Sequence, residues 1–204
     1  MYIPKLYRQD DHAIILDFVK KNNFPALVSN TESGLIATHI PVEVVEADDG
    51  SWLLYSHMSR VNPQWKSFAD QEVMLIFQGA HTYISPTWYE KVNVPTWNYM
   101  MVHLYGKARM VEGDELKSTL GRLIEKHEAA TSYRMETLPE DFVEKELKGA
   151  VGFVVEVTRI EAGYKLSQNR NDRDHANIIH ELELRGDAES AGVAEGMRRS
   201  RPPS

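Results

Sequence analysis

The sequence contains no cysteine, which excludes a disulfide framework, thiolate catalysis, iron–sulfur ligation and zinc-ribbon sites together. It has no apolar run near the roughly 20 residues that span a bilayer. Its opening, MYIPKLYRQDD, carries no apolar segment behind the first basic residue. Neither secretion nor membrane spanning is expected, and the cytoplasm is the default location. No G-x-G-x-x-G follows a predicted strand, there is no Walker loop, and neither H-E-x-x-H nor G-x-S-x-G occurs. Dinucleotide-fold, NTPase, zincin and α/β-hydrolase readings therefore fall. Basic residues are outnumbered, with 23 Lys+Arg against 30 Asp+Glu and a formal net charge of -7. Such a surface on average repels DNA, whose non-specific affinity for proteins comes mainly from phosphate neutralisation. The Arg198-Arg199-Ser200-Arg201-Pro202-Pro203 end is a candidate basic patch, although its composition reads first as a solvated terminus.

What is present describes a folding chain. At 204 residues, 42% hydrophobic and 26% charged, it suits one sizeable core and lies near the globular average. Asp10 and Asp11 can cap a helix carrying Ile14, Ile15, Phe18 and Val19 at helical spacing. From Pro25 to Gln78 the period becomes two, in ALVS, GLIATHIPVEVV, SWLLYSH and EVMLIF, which read as four strands. A strand ending at Ser85-Pro86, a long strand from Tyr99 to Val111 interrupted by Gly106, and a last strand from Val151 to Thr158 complete the count. A helix from Asp114 carries Leu116, Leu120, Leu123, Ile124 and His127. A second begins at Thr137-Leu-Pro-Glu140, with capping-box spacing, and stops before Gly149. A third helical stretch covers about 172–184, and 185–204 reads as a weakly specified tail. The pattern predicts a mainly β barrel or sandwich decorated by helices, with a helical insertion at about 114–148 in a domain of residues 1–184. A helix-turn-helix within that insertion is disfavoured, because the motif needs a turn of roughly 3–4 residues and the segment from about 128 to 136 is longer.

The histidines do not make a metal site by spacing. His175 and His180 fall on different faces of a helix, while His39, His57, His81 and His103 sit in predicted strands, where one satisfied hydrogen bond is the commoner role. The window Tyr55-Ser-His-Met-Ser-Arg-Val-Asn-Pro-Gln-Trp65 carries the chemistry. A strand ends in hydroxyl, imidazole and guanidinium groups, and Asn62-Pro63 starts a capped helix whose free N–H groups face the same spot. Arg60, Ser56 and Ser59 would suit a terminal phosphate. The alternative is that Arg60 pairs with a surface carboxylate and Ser59 caps the turn. Two further windows, Pro95-Thr-Trp-Asn-Tyr99 and Lys165-Leu-Ser-Gln-Asn-Arg170, put long polar side chains at strand boundaries. An aromatic wall with amide or cationic donors is what a flavin requires. Tyr83, Trp88, Tyr89 and Trp97 serve equally as core or dimer-interface residues.

The words MYIPKLYR, ATHIPV, HMSRVNPQW, IFQGAHTYISPTWY, VPTWNY with VHLYG, VGFVVEVTRIE and KLSQNR, in this order, resemble the PaiB family of FMN-binding split-barrel proteins from Met1 to about Leu184. The resemblance implies a six-stranded split β-barrel, a homodimer and FMN bound between subunits. It implies that Thr38 and His39 line the flavin ring and that Tyr55, Ser56, His57, Met58, Ser59 and Arg60 hold ribityl and phosphate, with Asn62, Gln64 and Trp65 in the same site. Trp97, Asn98 and Tyr99, and Lys165, Gln168, Asn169 and Arg170, would approach the ring edge. Oxidase relatives follow the phosphate serine with two basic residues. Here Val61 stands second, so either phosphate is held more weakly or Lys165 or Arg170 supplies the missing base. The implied role is a transcriptional regulator acting through flavin or a partner rather than by direct DNA contact. The alternative is an oxidoreductase of the NAD(P)H:flavin reductase type, for which no residue is a committed acid or base, so no catalytic residue is assigned.

Overall fold

The computed structural model describes residues 1–69 and 71–201. Seven strands form an open sheet in the order β2-β1-β5-β6-β7-β4-β3: β1 Ala26–Thr31, β2 Gly34–His39, β3 Val42–Glu46, β4 Trp52–Ser59, β5 Glu72–Ile84, β6 Thr96–Val111 and β7 Ala150–Lys165. Seven replaces the expected six, and the sheet does not close. The stretch read as one strand, GLIATHIPVEVV, is two, because Pro41 has no N–H for the ladder. Ile40 instead donates to the Pro25 carbonyl and Val42 to that of Asn23. Conversely, EVMLIF and AHTYI run on through Gly79 as the single strand β5.

Five α-helices accompany the sheet: α1 His12–Lys21, α2 Gly113–His127, α3 Glu140–Gly149, α4 Asp172–Arg185 and α5 Ala188–Ser200. Asp11 accepts from the Ala13 and Ile14 amides, at 2.9 and 3.1 Å, as its position before α1 predicts. The expected capping box of α3 does not form. Pro139 occupies the N-cap, and the Thr137 hydroxyl donates to the Arg134 carbonyl of a preceding 3-10 turn. The segment read as a weakly specified tail contains α5, which buries Val193, Ala194, Gly196 and Met197. Small residues weaken the hydrophobic signal there, although they allow close approach, a β-carbon at Gly192 meeting Ala80 at 2.6 Å and one at Gly196 meeting Met100 Sδ at 2.9 Å. The Pro202-Pro203 end lies outside the described residues.

The chain divides into two compact units, Met1–Phe18, Gln78–His103 and Glu161–Ser204 in one, Val19–Phe77 and Leu104–Ile160 in the other. In the first, Phe18 packs on Tyr164 with ring centroids 5.4 Å apart, and Ile178, Leu182 and Met197 are wholly buried. In the second, β4 pairs antiparallel with β3 and β7, matching Val42 with Ser56 and Phe153 with Ser56. Phe68 meets Phe153 edge-on at 5.1 Å. Removing such a buried ring costs about 3–5 kcal/mol. In the same unit a β-carbon at position 106 would lie 2.2 Å from the Glu156 carbonyl oxygen, so Gly106 lets β6 and β7 approach rather than breaking the strand. No helix among the described residues is long and apolar enough to cross a membrane.

Candidate cofactor site

In β4 the alternation of a strand decides which side chains of the Tyr55 window reach the surface. Trp52, Leu54, Ser56 and Met58 point into the core, while Leu53, Tyr55 and His57 lie half-buried on the other face. Ser56 donates its hydroxyl to the Pro41 carbonyl at 2.7 Å, and Met58 is 4% exposed, so both serve the core in this structure. Tyr55 lies under the Arg122 guanidinium, 4.7 Å from it, and Arg122 pairs with Glu43 at 2.8 Å. Burial pushes the His57 imidazole below its ordinary pKa.

Ser59 and Arg60 emerge where β4 ends. Among the described residues Arg60 is held by backbone carbonyls rather than by a carboxylate. Its Nε donates to the Lys148 carbonyl and its Nη2 to that of Ala150, each at 2.8 Å, satisfying acceptors left over at the end of α3. Nη1 has no partner among the described residues. The helix expected after Pro63 is a five-residue 3-10 turn, Pro63–Ser67, capped by Asn62, which accepts from the Gln64 amide at 3.0 Å. A single turn sums few peptide dipoles, so the positive character here comes from the Arg60 and Lys148 side chains. Arg60 lines a cleft of about 410 Å³ with Trp65 and Lys148, and Glu112 and Glu144 line the same cleft. The Trp65 indole donates to the Arg60 carbonyl at 3.1 Å, fixing the turn.

Thr38, Asn62 and Gln64 form one internal network. Asn62 donates to the Thr38 hydroxyl at 3.0 Å, and Thr38 donates to the Gln64 side-chain oxygen at 2.5 Å. Gln64 donates to the Leu27 carbonyl at 3.0 Å and to Ser29 at 3.1 Å. Gln64 is wholly buried and ties the turn to β1 and β2. His39 is exposed at the end of β2 and stacks on Phe24, 6.0 Å away.

In the other unit, the two polar windows meet. The Lys165 ammonium bonds Thr96, and Asn98 donates to Ser167 at 2.9 Å in a buried setting. Burial, then the neighbouring Arg170 charge, lower the Lys165 pKa. Gln168 is spent within its own turn, accepting from the Leu166 amide and donating to the Tyr164 carbonyl. The Arg170 guanidinium covers the Tyr89 ring at 4.6 Å, while Asn169 is exposed and Tyr99 half-buried. Trp97 is 47% exposed. Its indole donates to His81 Nδ1 at 3.2 Å and meets Tyr83 edge-on at 6.2 Å. His81, Ser167 and Thr96 are neighbours of the site that sequence reasoning does not assign to it. The alternation of His81 and Tyr83 on one face of β5 was the available signal.

In one unit, Arg60 Nη1 and the exposed Ser59 hydroxyl are donors with the chemistry that an anionic phosphate requires. In the other, Lys165 and the Asn169 amide lie in the same unit as the open Trp97–Tyr83 surface, the donor and aromatic chemistry that an isoalloxazine requires.

The family model described as "Putative FMN-binding domain" matches residues 1–159. The Bacillus subtilis (strain 168) protein named "Protease synthase and sporulation protein PAI 2" is 42% identical over 200 residues, which cover 97% of this chain and 96% of that protein. An uncharacterized Emericella nidulans protein is 25% identical over 242 residues, covering 97% and 96%. Among solved structures, the flavocytochrome Anf3 of Azotobacter vinelandii superposes with a TM-score of 0.62 at 12% identity, covering 86% of this chain and 78% of that one. The FAD and heme binding protein of Mycobacterium smegmatis gives 0.59 at 14% identity, covering 83% and 79%. These two likenesses show the fold, a mainly β antiparallel sheet with helices. With the family model over most of the chain and the Bacillus relative over nearly all of it, the chain belongs to the PaiB family of FMN-binding proteins, and its cofactor is FMN.

Proposed function

We propose that this protein is an FMN-binding regulator of the PaiB kind, a cytoplasmic homodimer of split barrels whose output passes through the flavin or a protein partner rather than through a DNA-reading helix pair. The convergence of Lys165 and Ser167 with Thr96 and Asn98, beside the open Trp97 face, is the observation that carries the flavin part. Arg60 and Ser59 would hold the phosphate, and Lys165, Asn169 and Trp97 the ring. Bound there, FMN supplies reversible hydride and electron chemistry. The chain's own groups orient it, offer it charge and limit its contact with water.

Two features favour a partner over DNA. Residues 128–139 separate α2 from α3 and include a 3-10 turn at Met135–Thr137, where a helix-turn-helix allows roughly 3–4 residues. The arginines of the C-terminal end are engaged by carboxylates: Arg198 by Glu183, Arg199 by Glu195 and Arg201 by Asp172. Phe24, Leu35 and Val61 are exposed apolar side chains in one unit and support a dimer contact. The second reading is a flavin reductase, in which NAD(P)H would pass a hydride to the bound flavin.

The experiment is an absorbance titration of the purified protein with FMN, followed by anaerobic NADH or NADPH. Yellow protein that persists unbleached supports the regulator, and prompt bleaching supports the reductase. Colourless protein after FMN addition and desalting contradicts both.

A further inference from the structure

We propose that the cavity between α2, α3 and β4 is a second ligand site, separate from the flavin site, for a small organic cation with an apolar body. It encloses about 560 Å³, within the range of small-molecule sites. All of its lining lies within one compact unit. Leu123 and Ile124 of α2, Val143 and Leu147 of α3, and Met135 between the helices make its walls apolar.

Charge selects the occupant. Glu128 and Glu146 line the cavity, with His57 and His127 and no lysine or arginine, so its carboxylates favour a cation over an anion such as a flavin phosphate. Tyr133 and Phe142 also line it and are 45% and 48% exposed, offering ring faces that attract an ammonium group. At the floor stands His57, whose Nδ1 is buried without a hydrogen-bond partner, an arrangement that costs free energy until something satisfies it. A neutral imidazole there accepts a hydrogen bond and adds no repulsion for a cation.

The test is calorimetric titration of the full chain, with and without saturating FMN, using 4-phenylbutylamine as probe and 4-phenylbutanoate as its anionic counterpart. The amine is expected to bind once per chain with FMN present or absent, and at least tenfold tighter than the carboxylate. Glu128→Gln with Glu146→Gln, at exposed or half-buried positions that leave the fold intact, should weaken amine binding roughly three- to tenfold. Leu123→Trp, which fills the cavity, should abolish it. Absence of amine binding, equal binding of the carboxylate, or displacement of the amine by FMN overturns the proposal. Displacement would place the cavity in the flavin site, while FMN binding without amine binding would leave the cofactor reading standing.

Discussion

Asn98 holds Ser167 in a conformation that serine seldom adopts. The amide nitrogen lies 2.9 Å from the hydroxyl, both residues are buried, and Ser167 has a φ of 60°, in the left-handed region. Among described non-glycine residues it alone does so. Strain of this kind costs on the order of 1–3 kcal/mol and persists where the surroundings over-determine it. Here it turns the chain sharply after Lys165, setting Asn169 and Arg170 on the far side of the turn.

Asn98→Ala is therefore expected to destabilise the fold by about 1–3 kcal/mol, the penalty for a buried hydroxyl that loses its partner. The urea midpoint should fall with its slope unchanged. An unchanged midpoint would show that the pair does not hold the turn.

Gly106→Ala should be among the most damaging small substitutions. The added carbon meets the Glu156 carbonyl at 2.2 Å and Val155 Cγ1 at 2.8 Å. Backbone on the neighbouring strand cannot swing aside as a flexible side chain does. A loss of about 1–3 kcal/mol or more would appear as a lowered Tm. A Tm equal to that of the parent would mean that β6 and β7 separate readily.

Stability should fall as pH drops below about 6.5, the ordinary histidine value. Burial is the first cause that lowers the pKa of His57, His103 and His175. For His175 the charge of Arg201 lowers it further. The folded pKa of each imidazole lies below its unfolded one. The unfolded chain therefore binds protons that the folded chain refuses, and the stabilisation present above the unfolded pKa is lost as pH falls through the folded values. Urea midpoints measured at about pH 7.5, 6.5 and 5.5 should decline in that order. A midpoint that rises toward the acid end would contradict the lowering of these three pKa values by folding.

Much of this was legible in the sequence for reasons of local chemistry. Strand alternation located β1, β4 and β6, and Asp11 and Asn62 were readable as caps because both functions need only a side-chain oxygen and the next amides. The windows at Trp97 and Lys165 could be singled out by composition, but their meeting could not, since it depends on the Asn98–Ser167 pairing 69 residues apart in sequence. The burial of Gln64 had no local signal, for an amide at a turn usually faces water. Arg60 was recognisable as a cation at a turn. That the carbonyls of Lys148 and Ala150 occupy two of its nitrogens required knowing where α3 ends.

The account of the cofactor rests most directly on the dissociation constant for FMN, read from quenching of flavin fluorescence with the parent protein and with Arg60→Ala. Thermal melts of the two proteins would accompany it, because Arg60 also secures the end of α3. Loss of a charged hydrogen bond to the phosphate predicts weakening by on the order of 1.5–3 kcal/mol, roughly ten- to a hundredfold. Equal affinity in a folded Arg60→Ala protein would contradict the assignment of this turn to the phosphate.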